Sequence, residues 1–183
     1  TVITGEVSRA SLTFAGLGAI DDWVKLRSRK NGLTVKQKLG LQILLALVMA
    51  TGLCWIHRDH PLSLAIVWPI GNHAIALGTF YLVWAVLVTV STSNAVNLTD
   101  GLDGLAGGCL IFAGSTFVGL TYVAGNKIMA DYLGIPYVRG CGELAVVLGA
   151  MVGAMLGFLW FNCYPAQVFM GDTGSLTLGG VIT

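Results

Sequence analysis

Long apolar runs alternate with short polar segments along the whole chain. Five runs cover residues 2–20, 39–56, 74–92, 105–123 and 143–161, and a sixth begins at Ser175. A helix needs about 20 apolar residues to cross about 30 Å of hydrocarbon. The pattern therefore predicts an all-α fold: a polytopic membrane bundle of about five spans plus the start of a sixth.

The composition supports a membrane location. Of the 183 residues, 55% are hydrophobic and 10% charged, and the mean hydropathy is +0.79. One soluble core of this length cannot hide so much apolar surface. Glu6 and Arg9 interrupt the first run, and we expect them to pair because they lie one helical turn apart. The net charge of +1 gives no reason to expect a nucleic-acid partner.

The chain reads as one transmembrane domain over residues 1–183. No start segment precedes the first run, and the last run stops within a predicted helix. We therefore expect an internal piece of a longer protein.

The basic residues predict the orientation of the spans. Six of the ten Lys and Arg residues fall between positions 21 and 38: Lys25, Arg27, Arg29, Lys30, Lys36 and Lys38. An excess of Lys and Arg marks cytoplasmic loops. Because the spans alternate in direction, the segments 93–104 and 162–174 are predicted on the same cytoplasmic side.

Acidic residues cluster in these three cytoplasmic segments. Five of the nine acidic residues are Asp21, Asp22, Asp100, Asp103 and Asp172. Asn97, Asp100 and Asp103 recur every three residues, so a helical or turn-like path would align them on one side. Ordinary capping of a solvated loop is the alternative interpretation of this segment. Lys25 follows the first pair by three and four residues, and could meet either those carboxylates or an anionic substrate.

Neighbouring carboxylates at a membrane surface suit Mg²⁺, which prefers oxygen ligands and is commonly shared with substrate phosphates. Carboxylates beyond those that hold the metal could serve as a general base or as hydrogen-bond acceptors. The chain has no HExxH, Walker A, nucleophile-elbow or dinucleotide motif, which removes the main support for protease, ATPase, hydrolase and dehydrogenase functions. The pattern favours the joining of a soluble phosphorylated donor to a lipid phosphate.

Four motifs give the chain a family resemblance. They are Asp21-Asp22-x-x-Lys25, residues 32–38 (GLTVKQK), residues 93–105 (SNAVNLTDGLDGL) and residues 165–176 (PAQVFMGDTGSL). In this order they resemble the bacterial phospho-N-acetylmuramoyl-pentapeptide transferases, within the superfamily of polyprenyl-phosphate N-acetylhexosamine-1-phosphate transferases.

The resemblance implies a reaction and a set of partners. Phospho-MurNAc-pentapeptide would pass from UDP-MurNAc-pentapeptide to undecaprenyl phosphate, giving lipid I and UMP in peptidoglycan synthesis, with Mg²⁺ as cofactor. It also implies ten helices in the bacterial inner membrane, a cytoplasmic active site and, commonly, a homodimer.

The resemblance also implies roles for individual residues. Asp172 matches the Mg²⁺ ligand, and Asp21 and Asp22 match the acidic pair near the phosphates, of which we take Asp21 as the base. Asp100 and Asp103 match catalytic cleft positions. The substrate-binding positions would be Lys25, Lys36, Asn94, Asn97, Leu102, Asn162 and Phe169.

Other functions remain open from sequence alone. A sibling transferase would move N-acetylglucosamine-1-phosphate from UDP-GlcNAc to a polyprenyl phosphate. A cation transporter would use carboxylates in transit, although such carboxylates usually lie near mid-membrane. The sequence also leaves open whether transfer is direct or passes through a covalent aspartyl intermediate.

Overall fold

A computed structural model describes residues 2–28, 32–56, 64–68 and 73–183. It contains seven helices, α1 (Val2–Ser28), α2 (Val35–Ile56), α3 (Phe80–Thr99), α4 (Leu105–Gly125), α5 (Lys127–Leu133), α6 (Gly142–Asn162) and α7 (Gly171–Ile182). Two short strands, β1 (Ala65–Trp68) and β2 (His73–Ala76), complete the elements. The predicted helical bundle is confirmed.

Four helices in the described part of the chain are long and apolar enough to cross a membrane. They cover Val35–Trp55, Phe80–Thr99, Leu105–Gly125 and Gly142–Asn162. The first apolar run forms most of α1, which is not among these four. Within α1, Arg9 and Glu6 form the expected ion pair, with Arg9 Nη1 3.0 Å from Glu6 Oε1.

The predicted run at 74–92 begins too early. Residues 73–76 instead form β2, which pairs antiparallel with β1 in a register from Ala65↔Ala76 to Trp68↔His73. Gly78 then adopts a left-handed conformation (φ 53°), and α3 starts at Phe80. A turn that needs positive φ separates strand from helix, which hydropathy alone does not reveal.

A short helix, α5, lies between the predicted runs at 105–123 and 143–161. The side chain of Asn126 caps α5 by accepting hydrogen bonds from the N–H groups of Ile128 and Met129. Gly134 ends the helix in a left-handed conformation (φ 65°). These are standard start and stop signals for a helix, although seven residues are too few to show a hydrophobic period.

Helix α2 starts before its apolar run because of a capping box. The N–H of Gln37 donates to the hydroxyl of Thr34 at 3.4 Å, and the N–H of Thr34 donates to Gln37 Oε1 at 3.1 Å. The two bonds satisfy backbone donors that a helix start leaves free. Lys38 is thereby held on the first turn of α2. Arg29 and Lys30 of the same predicted loop lie outside the described residues.

Helix α7 packs against both α1 and α3. Phe14 and Leu17 of α1 form a buried cluster with Leu176 of α7. Gly18 allows the closest approach, since a Cβ there would lie 2.5 Å from the carbonyl oxygen of Asp172. The packing therefore brings the end of α1 directly to the start of α7.

Candidate active site

Three carboxylates from two helices meet where α1 approaches α7. Asp21 and Asp22 lie near the end of α1, and Asp172 is the second residue of α7. One oxygen from each carboxylate lies within 4.8 Å of the others, close enough to hold one cation. We call these three residues the acidic cluster. Two of the three predicted acidic segments thus come together.

The ammonium group of Lys25 lies inside the acidic cluster. Its Nζ is 2.9 Å from Asp21 Oδ2, 3.4 Å from Asp22 Oδ1 and 2.6 Å from Asp172 Oδ2. Continuation of α1 through Ser28 places Lys25 one turn after the acidic pair. Of the two partners predicted for Lys25, the structure shows the carboxylates.

Protein groups hold each carboxylate in place. The N–H of Leu33 donates to Asp21 Oδ1 at 2.6 Å. Asp22 Oδ2 accepts from the N–H of Thr173 at 2.9 Å and from its hydroxyl at 2.6 Å. Leu33 and Thr173 therefore fix the orientation of Asp21 and Asp22.

Gly32 supplies the turn that brings Leu33 onto Asp21. Its φ is +83°, and a Cβ there would lie 2.7 Å from Asp21 Oδ1 and 2.9 Å from Lys25 Cε. Both the conformation and the space require glycine.

Asn97 and Lys38 complete the surroundings of Asp172. Asn97 Nδ2 donates to Asp172 Oδ1 at 2.7 Å, and Lys38 Nζ donates to Asp172 Oδ2 at 2.9 Å. Lys38 Nζ also lies 3.2 Å from Asn97 Oδ1, and the buried hydroxyl of Ser175 accepts from Asn97 Nδ2 at 2.8 Å. The motif at residues 93–105 thus reaches the acidic cluster through Asn97.

The hydrogen bonds and ion pairs described above shift the pKa values of Asp172, Asp22 and Lys25. Burial alone would raise the pKa of Asp172, but hydrogen bonds from its neighbours, Lys25, Lys38 and Asn97 among them, hold it well below its usual value. Burial also acts to raise the pKa of Asp22, and the two bonds from Thr173 and the charge of Lys25 outweigh it, so that pKa is lowered. Burial would lower the pKa of Lys25, but contacts with Asp172 and Asp21 raise it. At neutral pH Asp22 and Asp172 are therefore ionised and Lys25 is protonated.

Two further acidic residues of the motif at residues 93–105 lie outside the acidic cluster. Asp103 Oδ2 accepts from the N–H of Ala166 at 3.0 Å, in the loop after α6. The pKa of Asp100 is raised by burial and by the negative charge of Asp172. Asp100 therefore lies within electrostatic reach of the cluster, while Asp103 fastens the neighbouring loop.

Two asparagines predicted to bind substrate make hydrogen bonds within the protein. Asn94 Nδ2 donates to Gln42 Oε1 at 2.7 Å and to the carbonyl of Val90 at 2.8 Å. Asn162 accepts from the N–H of Gly104 at 3.1 Å and donates to the carbonyl of Val168 at 2.8 Å. Their positions tie α2 to α3 and the start of α4 to the loop before α7.

Leu102 and Phe169 lie on the two segments that Asn162 holds together. Their exposed fractions are 68% and 72%. Both are accessible to a ligand.

Lys38, Thr173 and Ser175 contact the cluster or its supports but were missing from the predicted site. Lys36, the basic residue predicted from sequence in this segment, is exposed and lies about 200° around the helix from Lys38. Gln42 was the available signal, because it is the one polar residue between positions 39 and 50 and falls one turn after Lys38. Leu45 and Met49, which pack on the core, extend the same face of α2.

The sequence of this chain is similar to a family model and to several known proteins. The family model "Glycosyl transferase family 4" matches residues 6–183. A phospho-N-acetylmuramoyl-pentapeptide-transferase of Desulfotalea psychrophila is 49% identical over 173 residues, which is 94% of this chain and 48% of that protein. Proteins of the same name from Koribacter versatilis (43% over 190 residues, 94% and 50%) and Desulfovibrio desulfuricans (49% over 178 residues, 95% and 49%) are similar to it as well.

The chain spans about half the length of these curated relatives. The family match, in contrast, covers nearly all of the chain and includes every residue of the acidic cluster. The chain therefore belongs to glycosyl transferase family 4.

Proposed function

We propose that the complete protein transfers phospho-MurNAc-pentapeptide from its UDP conjugate to undecaprenyl phosphate, releasing UMP and forming lipid I. The observation that carries the proposal is the meeting of Asp21, Asp22 and Asp172 with Lys25 and Lys38 at one end of an apolar bundle. The names of the similar proteins support this substrate over UDP-GlcNAc.

The donor set of the acidic cluster fits Mg²⁺. Oxygen atoms from three carboxylates lie within 4.8 Å of one another, and Asp172 faces both lysines. Mg²⁺ commonly binds one or two carboxylates together with substrate phosphates. Asp172, with Asp21 and Asp22 beside it, would hold the ion. When bound, Mg²⁺ would supply charge stabilisation to the reacting phosphates.

The residues of this chain suit a phosphoryl transfer. An oxygen of the acceptor phosphate would form a bond to the phosphorus attached to the sugar, and the bond between the two donor phosphates would break as UMP leaves. Lys25 and Lys38 can stabilise negative charge on the phosphates. Asp21, which is 2% exposed, is our candidate to accept a proton from the acceptor phosphate.

The exposed pair of Leu102 and Phe169 provides a place for the uracil base. An aromatic ring offers a stacking surface, worth about 1 to 3 kcal/mol per base in nucleic-acid complexes. Asn162 would position this surface by bonding both segments. Asp103 would act similarly through its bond to Ala166.

We place the site on the cytoplasmic face of the bacterial inner membrane, where the UDP-linked donor would be found. The basic residues of segment 21–38 support this orientation, since Lys25 and Lys38 lie at the acidic cluster itself. Homodimers would be compatible with the apolar outer surfaces.

UMP release by the purified full-length protein tests the function. The protein would be given undecaprenyl phosphate and either UDP-MurNAc-pentapeptide or UDP-GlcNAc, with and without Mg²⁺. We expect Mg²⁺-dependent release with the first donor. Release with UDP-GlcNAc alone would assign the sibling reaction, and release with neither donor would contradict a transferase.

A further inference from the structure

We propose that Lys25 acts as an internal counter-ion which occupies the cation site of the unloaded protein, and that cation binding displaces its ammonium group outward to receive the phosphates of the donor. This inference rests on the proposed Mg²⁺ function of the acidic cluster. It adds an exchange between a side chain and a metal at one position.

The position of Lys25 supports this exchange. Its Nζ lies within 3.4 Å of an oxygen from each of Asp21, Asp22 and Asp172. These are the same three residues whose oxygens are close enough to share one cation. An ammonium group and a divalent cation cannot occupy the centre of this cluster together, because both carry positive charge and both need the same oxygens.

The anchoring of the cluster shows which group can move. Asp21 is fixed by Leu33, Asp22 by Thr173, and Asp172 by Asn97 and Lys38. The recorded hydrogen bonds and ion pairs of Lys25 Nζ are with the carboxylates themselves. Its side chain is 39% exposed, whereas that of Asp21 is 3% exposed. Lys25 therefore has both the freedom and the space to swing toward solvent.

Lys38 provides the natural comparison. It contacts Asp172 but is recorded neither at Asp21 nor at Asp22, and its side chain is only 17% exposed. Asn97 Oδ1 gives Lys38 Nζ a further partner at 3.2 Å. We expect Lys38 to stay in place when Lys25 leaves.

The exchange would change the net charge of the site and so favour binding of the anionic donor. Three carboxylates and two lysines leave one net negative charge, which disfavours an anionic donor. A divalent cation reverses that sign and frees the ammonium of Lys25 at the rim of the site. Cation and donor would then bind with positive coupling, and each would raise the affinity for the other.

Mn²⁺ binding, followed by electron paramagnetic resonance in the absence of nucleotide, tests the competition. In the full-length protein we expect Lys25→Met to bind Mn²⁺ at least about tenfold more tightly than the wild type. Lys38→Met should show a smaller gain, and Lys127→Met, at the start of α5, should show none. Equal affinity of Lys25→Met and wild type would overturn the inference while leaving the metal site intact. Failure of the wild type to bind Mn²⁺ would overturn both.

Lysine footprinting tests the displacement directly. Brief acetylation and mass spectrometry of the wild type should show Lys25 modified several times faster with Mg²⁺ than with Na⁺ at equal ionic strength. Lys127 should react at the same rate in both. An unchanged or slower rate at Lys25, under conditions where Mn²⁺ binds, would contradict the exchange.

Discussion

The carboxylate of Asp22 accepts two hydrogen bonds from Thr173, from the backbone N–H at 2.9 Å and from the hydroxyl at 2.6 Å. These bonds fasten the end of α1 to the first turn of α7, across 151 positions of sequence. The start of a helix carries free N–H groups and a partial positive charge, which a carboxylate satisfies. The acidic cluster is therefore also a helix cap.

Thr173→Val should lower the stability of the protein, because it removes the hydroxyl bond but keeps the shape. A hydrogen bond to a charged group contributes about 1.5 to 3 kcal/mol. Thermal unfolding in detergent should show a lower midpoint. Thr173→Ser, which keeps the hydroxyl, should stay near the wild type; similar losses in both variants would mean that packing dominates.

Gly18→Ala should separate α1 from α7 and weaken cation binding. The new Cβ would lie 2.5 Å from the carbonyl oxygen of Asp172 and 2.6 Å from Thr173 Cα, so the backbones must move apart. Overpacking of this kind typically costs about 1 to 3 kcal/mol. Gly16→Ala is the matched control, since a Cβ there meets no atom within 4 Å. Unfolding midpoints and Mn²⁺ affinities that match between the two variants would contradict the close approach.

Gly32→Ala should damage the site more than Gly78→Ala. Both residues have positive φ, +83° and +53°, so both substitutions carry a conformational cost of about 1 kcal/mol. Only at Gly32 does a Cβ meet Asp21 and Lys25, while Gly78 has open space. Mn²⁺ affinity should fall in the first variant and remain in the second. Equal affinities would show that the loop can move away from Asp21.

Asp100→Asn should stabilise the protein at neutral pH while lowering turnover. The pKa of Asp100 is raised in the folded state, so its ionisation costs stability at pH values above its unfolded pKa of about 4. The gain from Asn should vanish as the pH falls below about 4, where the carboxyl is protonated in both states. Unfolding midpoints from pH 3 to 7 and UMP release measure the two effects. A stabilised variant with full turnover would remove Asp100 from the catalytic residues.

The membrane helices were largely predictable, because each depends on the hydropathy of its own consecutive residues. The runs at 105–123 and 143–161 match α4 and α6 closely. Residues 74–76 were misassigned, since a short apolar strand and the start of an apolar helix look alike until the turn at Gly78 is known.

The site was predictable in its carboxylates and less so in their partners. Acidic residues are rare enough in this chain to stand out. The choice between Lys36 and Lys38 depends on the rotation of α2 about its axis, which its packing against α1 and α3 determines. Thr173 and Ser175 act through hydrogen bonds that no spacing in the sequence indicates.

Mn²⁺ titration of Asp172→Asn tests the central claim, that the acidic cluster holds one divalent cation. We predict one bound Mn²⁺ per wild-type chain and an affinity loss of more than about 100-fold in the variant. This loss exceeds the roughly 10- to 100-fold expected when a residue that only supports a metal ligand is replaced. Asp131→Asn, on the exposed face of α5, should bind like the wild type. Wild-type affinity in a folded Asp172→Asn protein would contradict the account.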